Sequence, residues 1–375
     1  MKAPTDVLVY AGSESDATML YASGFLAGDP FIFLRVGGRS MLVMSDLELG
    51  RARDESKVDE VVPYSAVEKK LKGKDGAKRV SRSEVIARVL ADHGVAAVSV
   101  PDNFPLGLAV ALRKQGVQAV PSASLFPERA VKTPGEVAAI EAVQRATEEA
   151  TDEALKLLRR SKPRGSKLVV GGETVTSELL KGVIHRALMD RECAATRTIV
   201  AGGDQACDPH CTGTGPVAPD RSIVMDIFPR STRTYYHADM SRTVVRGKAS
   251  PALVKLFKDV QTAQEAGIAK VKPGADGKSI HEETQKLFKE MGYATEPRGG
   301  KMVGYFHGLG HGVGLDVHES PWLTSGGTPL PEHSVVTVEP GLYYPGLGGV
   351  RLEDMVLVTS GGCRNLTRYP KELVV

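Results

Sequence analysis

Four acidic residues stand inside or at the ends of apolar β-strand patterns in the second half of the chain. Asp226 interrupts the apolar run 223–227, and Asp239 follows on the expected partner strand. Glu339 ends a third apolar run, and Glu353 lies in a fourth strand-like run. A carboxylate buried among apolar groups costs free energy unless it is paired or bound to a metal ion. This pattern therefore restricts the chain to folds in which the acids find such partners.

The stretch 307–319 contains three histidines, two carboxylates and four glycines in thirteen residues. Histidine serves both as a metal ligand and in proton transfer near neutral pH. His307 and His311 have the i, i+4 spacing of a zinc-binding helix, but Gly308 occupies the position of the general-base Glu, and Gly308 and Gly310 disfavour a helix. The stretch is therefore predicted to be a catalytic lining whose histidines have partners elsewhere.

Two Asp, two Glu and one His would give a ligand set composed mostly of oxygen atoms. Such sites suit Mn, Co or Fe, whereas a closed structural zinc site prefers thiolates. Bridging carboxylates hold two metal ions about 3.5–4 Å apart and activate a shared water molecule. A separate zinc site at Cys207, His210 and Cys211 would lack a fourth ligand with the usual spacing. No Gly-x-Ser-x-Gly motif of a serine hydrolase occurs in the sequence.

The composition excludes several other classes of protein. The net charge is +3 over 375 residues, with no long Lys/Arg run, so a nucleic-acid partner is not expected. Four cysteines make no disulfide framework. The first apolar run, Val7–Tyr10, is too short for a secretory signal, and no run approaches 18 residues. A cytoplasmic protein without membrane contact is expected.

The length predicts about two domains, here residues 1–128 and 129–375. In the first, helices and strands alternate, and the runs 31–36 and 41–44 form an expected hairpin. The second opens with a long helix capped by Thr133, and residues 161–172 are expected to form a loop. Strands are predicted at 196–202, 221–229 and 235–246.

Specific motifs resemble those of a known superfamily. They are Glu339-Pro340-Gly341-Leu342-Tyr343, Val350-Arg351-Leu352-Glu353-Asp354, Ala238-Asp239-Met240-Ser241-Arg242-Thr243, the stretch 307–319 and residues 131–136. The second domain is similar to the pita-bread metallopeptidases, the methionine aminopeptidase and creatinase superfamily. With its first domain, the whole chain resembles the aminopeptidase P and prolidase branch. The fold this implies is an α/β N-terminal creatinase-like domain plus an α+β pita-bread C-terminal catalytic domain.

The resemblance also implies roles for individual residues. Asp239 and Glu353 would bridge two divalent metal ions, Mn first and Co, Zn or Fe as alternatives. His318 would hydrogen-bond the scissile carbonyl, and Arg351 would brace the ligands and face the substrate. The full implied sets are metal ligands Asp226, Asp239, His311, Glu339 and Glu353; catalytic residues His318, Glu339 and His307; and substrate-binding residues His210, Arg351, His307 and Tyr343.

The implied function is hydrolysis of the bond between an N-terminal residue and proline by a homodimeric enzyme of the aminopeptidase P or prolidase type. Alternatives are a general metalloaminopeptidase, a creatinase-like C–N hydrolase and a non-catalytic binding protein; the last two would be marked by lost ligands. The sequence departs from the family in the longer turn between Asp226 and Asp239. Two inserted residues keep the side-chain parity of a strand pair, so both acids are still expected to face one site. Trp322 fits either the site lining or packing in the core or at the rim.

Overall fold

The computed structural model describes residues 4–72, 79–195 and 197–375. Its contacts divide the chain into two compact units, Met1–Arg129 and Ala130–Val375. Thr196, where a strand was predicted to begin, lies outside the described residues; the strand itself is Ile199–Gly202. Among the described helices, none has the length and apolar character needed to cross a membrane.

The N-terminal unit is built on a mixed sheet with strand order β4-β3-β2-β1-β5-β6. Its strands are β1 (Val7–Ala11), β2 (Phe31–Val36), β3 (Arg39–Met44), β4 (Glu60–Pro63), β5 (Ala97–Val100) and β6 (Gln118–Pro121), and its helices are α1 (Ala17–Ser23), α2 (Leu49–Glu55), α3 (Tyr64–Lys72), α4 (Arg82–Asp92) and α5 (Leu106–Lys114). The predicted hairpin is confirmed as β2–β3. Its turn residues, Gly37 and Gly38, have φ of 57° and 84°, as a two-residue hairpin turn requires.

Helix α6 (Pro134–Arg160) opens the C-terminal unit. Thr133 caps it: its side chain accepts from Glu136 N while the Glu136 carboxylate accepts from Thr133 N, which confirms the predicted helix start. Its apolar face is buried in the main core of this unit, against α7. The later helices are α7 (Ser177–Met189), α8 (Pro251–Ile268) and α9 (Gly277–Glu290); short 3-10 helices span Pro127–Ala130 and Gly203–Cys207.

Antiparallel sheets make up the rest of the unit. The larger ones have the strand orders β11-β12-β14 and β18-β17-β19-β22-β23, and β20 pairs with β21. The strands are β7 (Lys162–Arg164), β8 (Lys167–Val170), β9 (Glu173–Thr174), β10 (Cys193–Ala194), β11 (Ile199–Gly202), β12 (Ser222–Ile227), β13 (Arg230–Ser231), β14 (Met240–Val245), β15 (Glu296–Arg298), β16 (Lys301–Val303), β17 (Gly310–Gly312), β18 (Glu319–Leu323), β19 (Val335–Val338), β20 (Gly341–Tyr344), β21 (Gly348–Arg351), β22 (Asp354–Thr359) and β23 (Gly362–Asn365).

Two sequence predictions were wrong. The expected loop at 161–172 contains the hairpin β7–β8. All three residues of β7 are exposed, so this surface strand carries no apolar signal. The strand expected from residue 235 begins only at Met240, because the preceding residues form a turn that carries the inserted length.

Candidate metal centre

The side chains predicted to form the site surround one cavity of about 1030 Å³ in the C-terminal unit. Tyr343 is buried behind this wall and contacts two of the lining residues. The other predicted residues all line the cavity: His210, Asp226, Asp239, His307, His311, His318, Glu339, Arg351 and Glu353. The fold therefore brings together residues that lie far apart in sequence.

A cluster of possible metal ligands lies around His311. Donor atoms of Asp239, His311 and Glu353 lie within 4.8 Å of one another, and all three residues are buried. The Nε2 atom of His311 is 3.2 Å from Oε1 of Glu339 and 3.8 Å from Oδ2 of Asp239. One imidazole thus faces several carboxylates at once.

Strand register places the two aspartates on one face. In the β12–β14 pair, Asp226 lies opposite Ser241, and Ile227 lies opposite Met240. Asp239 precedes β14 by one residue, so it continues the face of Asp226 and Ser241, since side chains alternate along a strand. This register agrees with the expectation that two additional residues between the aspartates would leave both side chains facing one site.

The inserted length forms a turn with its own hydrogen bonds. The Ser231 hydroxyl accepts from the backbone N–H groups of Arg233 and Thr234. Tyr235 adopts φ of 63°, and the His237 N–H donates to the carbonyl of Gly314. The turn therefore ties the approach to Asp239 to the His307–Glu319 stretch.

Several carboxylate oxygens in the cluster lack a partner. Within the described residues, Asp226 Oδ1, Asp239 Oδ1 and Glu353 Oε1 are buried and accept no hydrogen bond. Burial, and then the neighbouring carboxylates, raises the pKa of both Asp239 and Glu353. Buried acceptors are normally satisfied, and divalent cations favour carboxylate oxygens. The residues present fit a bound cation.

Arg351 contacts the cluster directly and is held in place by several hydrogen bonds. Its guanidinium donates to Asp226 Oδ2 at 2.8 Å, to the Ser241 hydroxyl at 3.0 Å and to the Tyr343 hydroxyl at 3.1 Å. A longer contact, of 3.4 Å, reaches the carbonyl of Pro209. These contacts fix the orientation of Asp226. The substrate-facing role of Arg351 stays a prediction.

His307 has both ring nitrogens engaged. Nδ1 lies 2.7 Å from the carbonyl of Gly308, which can only accept, so Nδ1 carries the proton. Nε2 then accepts from the Tyr343 hydroxyl at 2.8 Å. Desolvation lowers the pKa of His307 to about 4, and burial raises that of Tyr343 to about 12. Both groups are therefore uncharged near neutral pH.

Two more predicted histidines face the cavity from exposed segments. The His318 ring meets the His311 ring edge to face, with centroids 4.3 Å apart. His210 stands on the loop after the second 3-10 helix, where its N–H donates to Asp208 Oδ1. Neither lies in a helix or strand, so both depend on loop contacts for their position.

Sequence reasoning missed His237, which also lines the cavity. Its Nδ1 is buried and has no hydrogen-bond partner within the described residues, and desolvation lowers its pKa to about 4. The sequence did contain a sign of this: His237 lies two residues before Asp239, and residues two apart in an extended segment face the same side. A neutral imidazole with an unused nitrogen at a cavity wall is suited to a polar ligand group.

A buried ion pair positions the segment that carries His318. Lys132 Nζ lies 2.7 Å from Glu319 Oε1, and the two side chains are 1% and 9% exposed. The other oxygen of Glu319 accepts from Asp316 N at 3.4 Å. The segment from Asp316 to Glu319 is thereby tied to the residue before the Thr133 cap of α6.

Comparison with known proteins agrees with this geometry. The family model for metallopeptidase family M24 matches residues 138–360. The Xaa-Pro dipeptidase of Pyrococcus furiosus is 35% identical over 190 residues, which cover 49% of this chain and 50% of that protein. An uncharacterised peptidase of Bacillus subtilis is 37% identical over 179 residues, 47% of this chain and 48% of that one. The chain spans about half the length of the curated relatives it matches.

Solved structures match over almost the whole chain. An Xaa-Pro dipeptidase from Bacillus anthracis superposes with a TM-score of 0.82 at 22% identity, covering 99% of this chain and 95% of that one. An X-Pro aminopeptidase from Thermotoga maritima gives 0.79 at 24% identity, with 98% and 97% covered.

The chain belongs to metallopeptidase family M24, since the family model matches more than half of it. The predicted fold class, an α/β N-terminal domain and an α+β pita-bread C-terminal domain, is confirmed. A divalent metal is the cofactor that this family implies, in agreement with the Asp239, His311 and Glu353 cluster.

The Lys132–Glu319 pair can be tested through stability. Lys132→Met leaves a carboxylate in a buried position without its cation, so we expect the free energy of unfolding to fall by about 3–5 kcal/mol. Urea unfolding followed by the fluorescence of Trp322, the single tryptophan, reports on this unit. Lys132→Met combined with Glu319→Gln should recover part of the loss. Lys286→Met, at an exposed pair, serves as the control, with an expected loss below about 1 kcal/mol. Equal losses in the Lys132 and Lys286 variants would contradict the positioning role.

Proposed function

We propose that this protein is a metal-dependent Xaa-Pro peptidase, which hydrolyses the peptide bond between an N-terminal residue and proline. One observation carries the proposal: buried carboxylate oxygens without partners converge beside His311 in a large cavity, in a chain of family M24. The curated relative from Pyrococcus furiosus is named an Xaa-Pro dipeptidase, which supports the choice of bond.

Five residues of the cavity wall would hold two divalent ions, with Mn as the first candidate and Co, Zn and Fe as alternatives. They are Asp226, Asp239, His311, Glu339 and Glu353. When bound, such ions polarise a carbonyl oxygen and make a water molecule a better nucleophile near neutral pH. Arg351 would keep Asp226 in place through their hydrogen bond.

Hydrolysis adds water across the C–N bond. A water oxygen bonds to the carbonyl carbon, the C–N bond breaks, and the proline nitrogen takes up a proton. Glu339, which is partly exposed in the cavity, would take the proton from the attacking water and deliver it to that nitrogen. His318 would donate a hydrogen bond to the carbonyl oxygen as negative charge develops there.

Recognition of proline has a specific physical requirement. A bond before proline has no N–H, so a site cannot hold that bond through its donor and must recognise the ring by shape. Phe306 and His307 line the cavity, and the Tyr343 hydrogen bond fixes the imidazole. With a pKa of about 4, His307 offers the ring an uncharged wall. His210 would complete this side from its loop.

The other functions considered are less well supported. A creatinase-like C–N hydrolase or a non-catalytic binding protein would not need all five ligand side chains, yet each of the five lines the cavity. A homodimer is retained as part of the proposal on the basis of the family resemblance, and a cytoplasmic location on the basis of the composition. Sedimentation of the purified protein tests the dimer.

The deciding experiment compares matched substrates. Metal-stripped protein is reloaded with Mn, Co or Zn and assayed on Ala-Pro and Ala-Ala dipeptides and on the corresponding tripeptides. We expect hydrolysis of the proline substrates at a clearly higher kcat/KM than of the alanine substrates. Equal rates on both would refute proline selectivity and leave a general metalloaminopeptidase. The ratio of dipeptide to tripeptide rates separates the prolidase type from the aminopeptidase P type.

Asp239→Asn tests the ligand set. The variant removes one negative charge from the buried cluster while keeping the side-chain shape, so we expect loss of bound metal and of activity with the fold retained. Metal content by elemental analysis and circular dichroism are the measurements. Glu282→Gln, an exposed acid on α9, is the control and should match the unmodified protein. Full turnover of Asp239→Asn at low added metal would refute this assignment.

His318→Ala separates a transition-state donor from a ligand. Loss of one positioned donor typically lowers kcat by about 10²–10³-fold. We expect that loss with an unchanged metal content, because the proposed ligand set does not include His318. A lower metal content would identify His318 as a ligand and overturn its assigned role.

A further inference from the structure

Trp322 presents a large apolar surface to the cavity. It lies on β18, one of the two edge strands of the five-stranded sheet, directly opposite His311 in the β17–β18 register. Paired residues share a face of the sheet, and the two ring centroids are 6.4 Å apart. The residue is 39% exposed although indole is strongly apolar. A single exposed apolar residue is ordinary, but one that lines a concave cavity marks a ligand contact.

The backbone that carries Trp322 is tightly held. A Cβ atom at Gly277, the first residue of α9, would lie 2.2 Å from the Trp322 carbonyl oxygen. A Cβ at Gly327 would lie 2.7 Å from the same oxygen. Only glycine fits at these two positions, so the start of α9 and the loop after β18 pack directly on the strand. The indole is therefore presented from a rigid support, as a specificity wall requires.

The aromatic rings at the cavity wall make two sets of contacts. Phe306 and His307 contact each other and the buried Tyr343, with centroids 5.4 to 6.4 Å apart. Trp322 contacts a different ring, that of His311. The proposed function assigns the first set to the proline ring. Since a scissile bond has a residue on each side, the second set is left for the residue before the bond.

We propose that Trp322 forms the wall of the subsite for the side chain of the first substrate residue. This inference rests on the proposed function and specifies its substrate class: peptides that begin with an aromatic or large aliphatic residue before proline. Apolar contact with an indole removes the surface of such a side chain from water. A first residue with no side chain gains nothing from this wall.

The experiment compares Phe-Pro, Leu-Pro and Gly-Pro dipeptides, with Phe-Ala and Gly-Ala as matched alanine dipeptides, on the protein as isolated, on Trp322→Ala and on Trp322→Phe. In the unmodified protein we expect kcat/KM for Phe-Pro to exceed that for Gly-Pro by about tenfold or more, the scale of differential apolar contact in a pocket. Trp322→Ala should remove most of this ratio, mainly through a higher KM for Phe-Pro. Trp322→Phe should keep most of it. Met302→Ala, which changes an exposed apolar residue outside the cavity lining, is the control.

Different outcomes separate the inference from the proposed function. Equal losses on Phe-Pro and Gly-Pro in Trp322→Ala would indicate a structural effect and overturn the subsite. A change in the Phe-Pro to Phe-Ala ratio, with the first-residue preference unchanged, would place Trp322 on the proline side and also overturn it. If the unmodified protein cleaves Phe-Ala as fast as Phe-Pro, the proposed function fails, while the Phe-Ala to Gly-Ala ratio still tests the subsite. A protein that cleaves none of these peptides refutes both.

Discussion

Carboxylate oxygens without partners are the constraint on which the C-terminal unit depends. Asp239 and Glu353 are buried, Asp226 and Glu339 are partly exposed, and like charges this close repel strongly where water is scarce. The guanidinium of Arg351 offsets only part of this charge. The arrangement persists because the strands hold the acids in place, and its remaining negative charge is what makes the cavity suitable for divalent cations.

Side-chain hydrogen bonds join β14 to β21 and to the residues that follow it, in addition to the backbone hydrogen bonds within each sheet. The Ser241 hydroxyl on β14 donates to Glu353 Oε2 and accepts from Arg351 Nε. One serine thus joins the last residue of β21 to the acid two residues later. The Thr243 hydroxyl donates to the Arg351 carbonyl and accepts from the Arg351 N–H. A register shift of one residue in either strand would move these side chains to the opposite face and break the contacts. The two motifs 238–243 and 350–354 therefore fix how these strands align, in addition to supplying the acids of the cluster.

Local signals made much of the fold predictable. The Thr133 cap, the Gly37-Gly38 turn and the helix periods concern neighbours in sequence, and each agrees with the structure. The acids in apolar runs and the glycine-rich histidine stretch pointed to the cavity that they line. Features that depend on distant contacts were missed: the Lys132–Glu319 pair joins residues 187 positions apart. The exposed hairpin β7–β8 was missed because its surface strand has no apolar period.

The segment between Asp226 and Asp239 contributes to both the carboxylate cluster and the rest of the cavity wall. The two-residue insertion leaves both acids on one face, so the cluster is preserved. Arg230 and His237, which lie in the same segment, line the cavity. Most of the cluster lies in motifs that resemble those of the family, whereas this rim and the proposed Trp322 wall are contributed by residues outside those motifs. We therefore expect the residues of the rim and of the proposed wall to determine which substrates are preferred. The cluster is expected to determine the proposed hydrolytic chemistry.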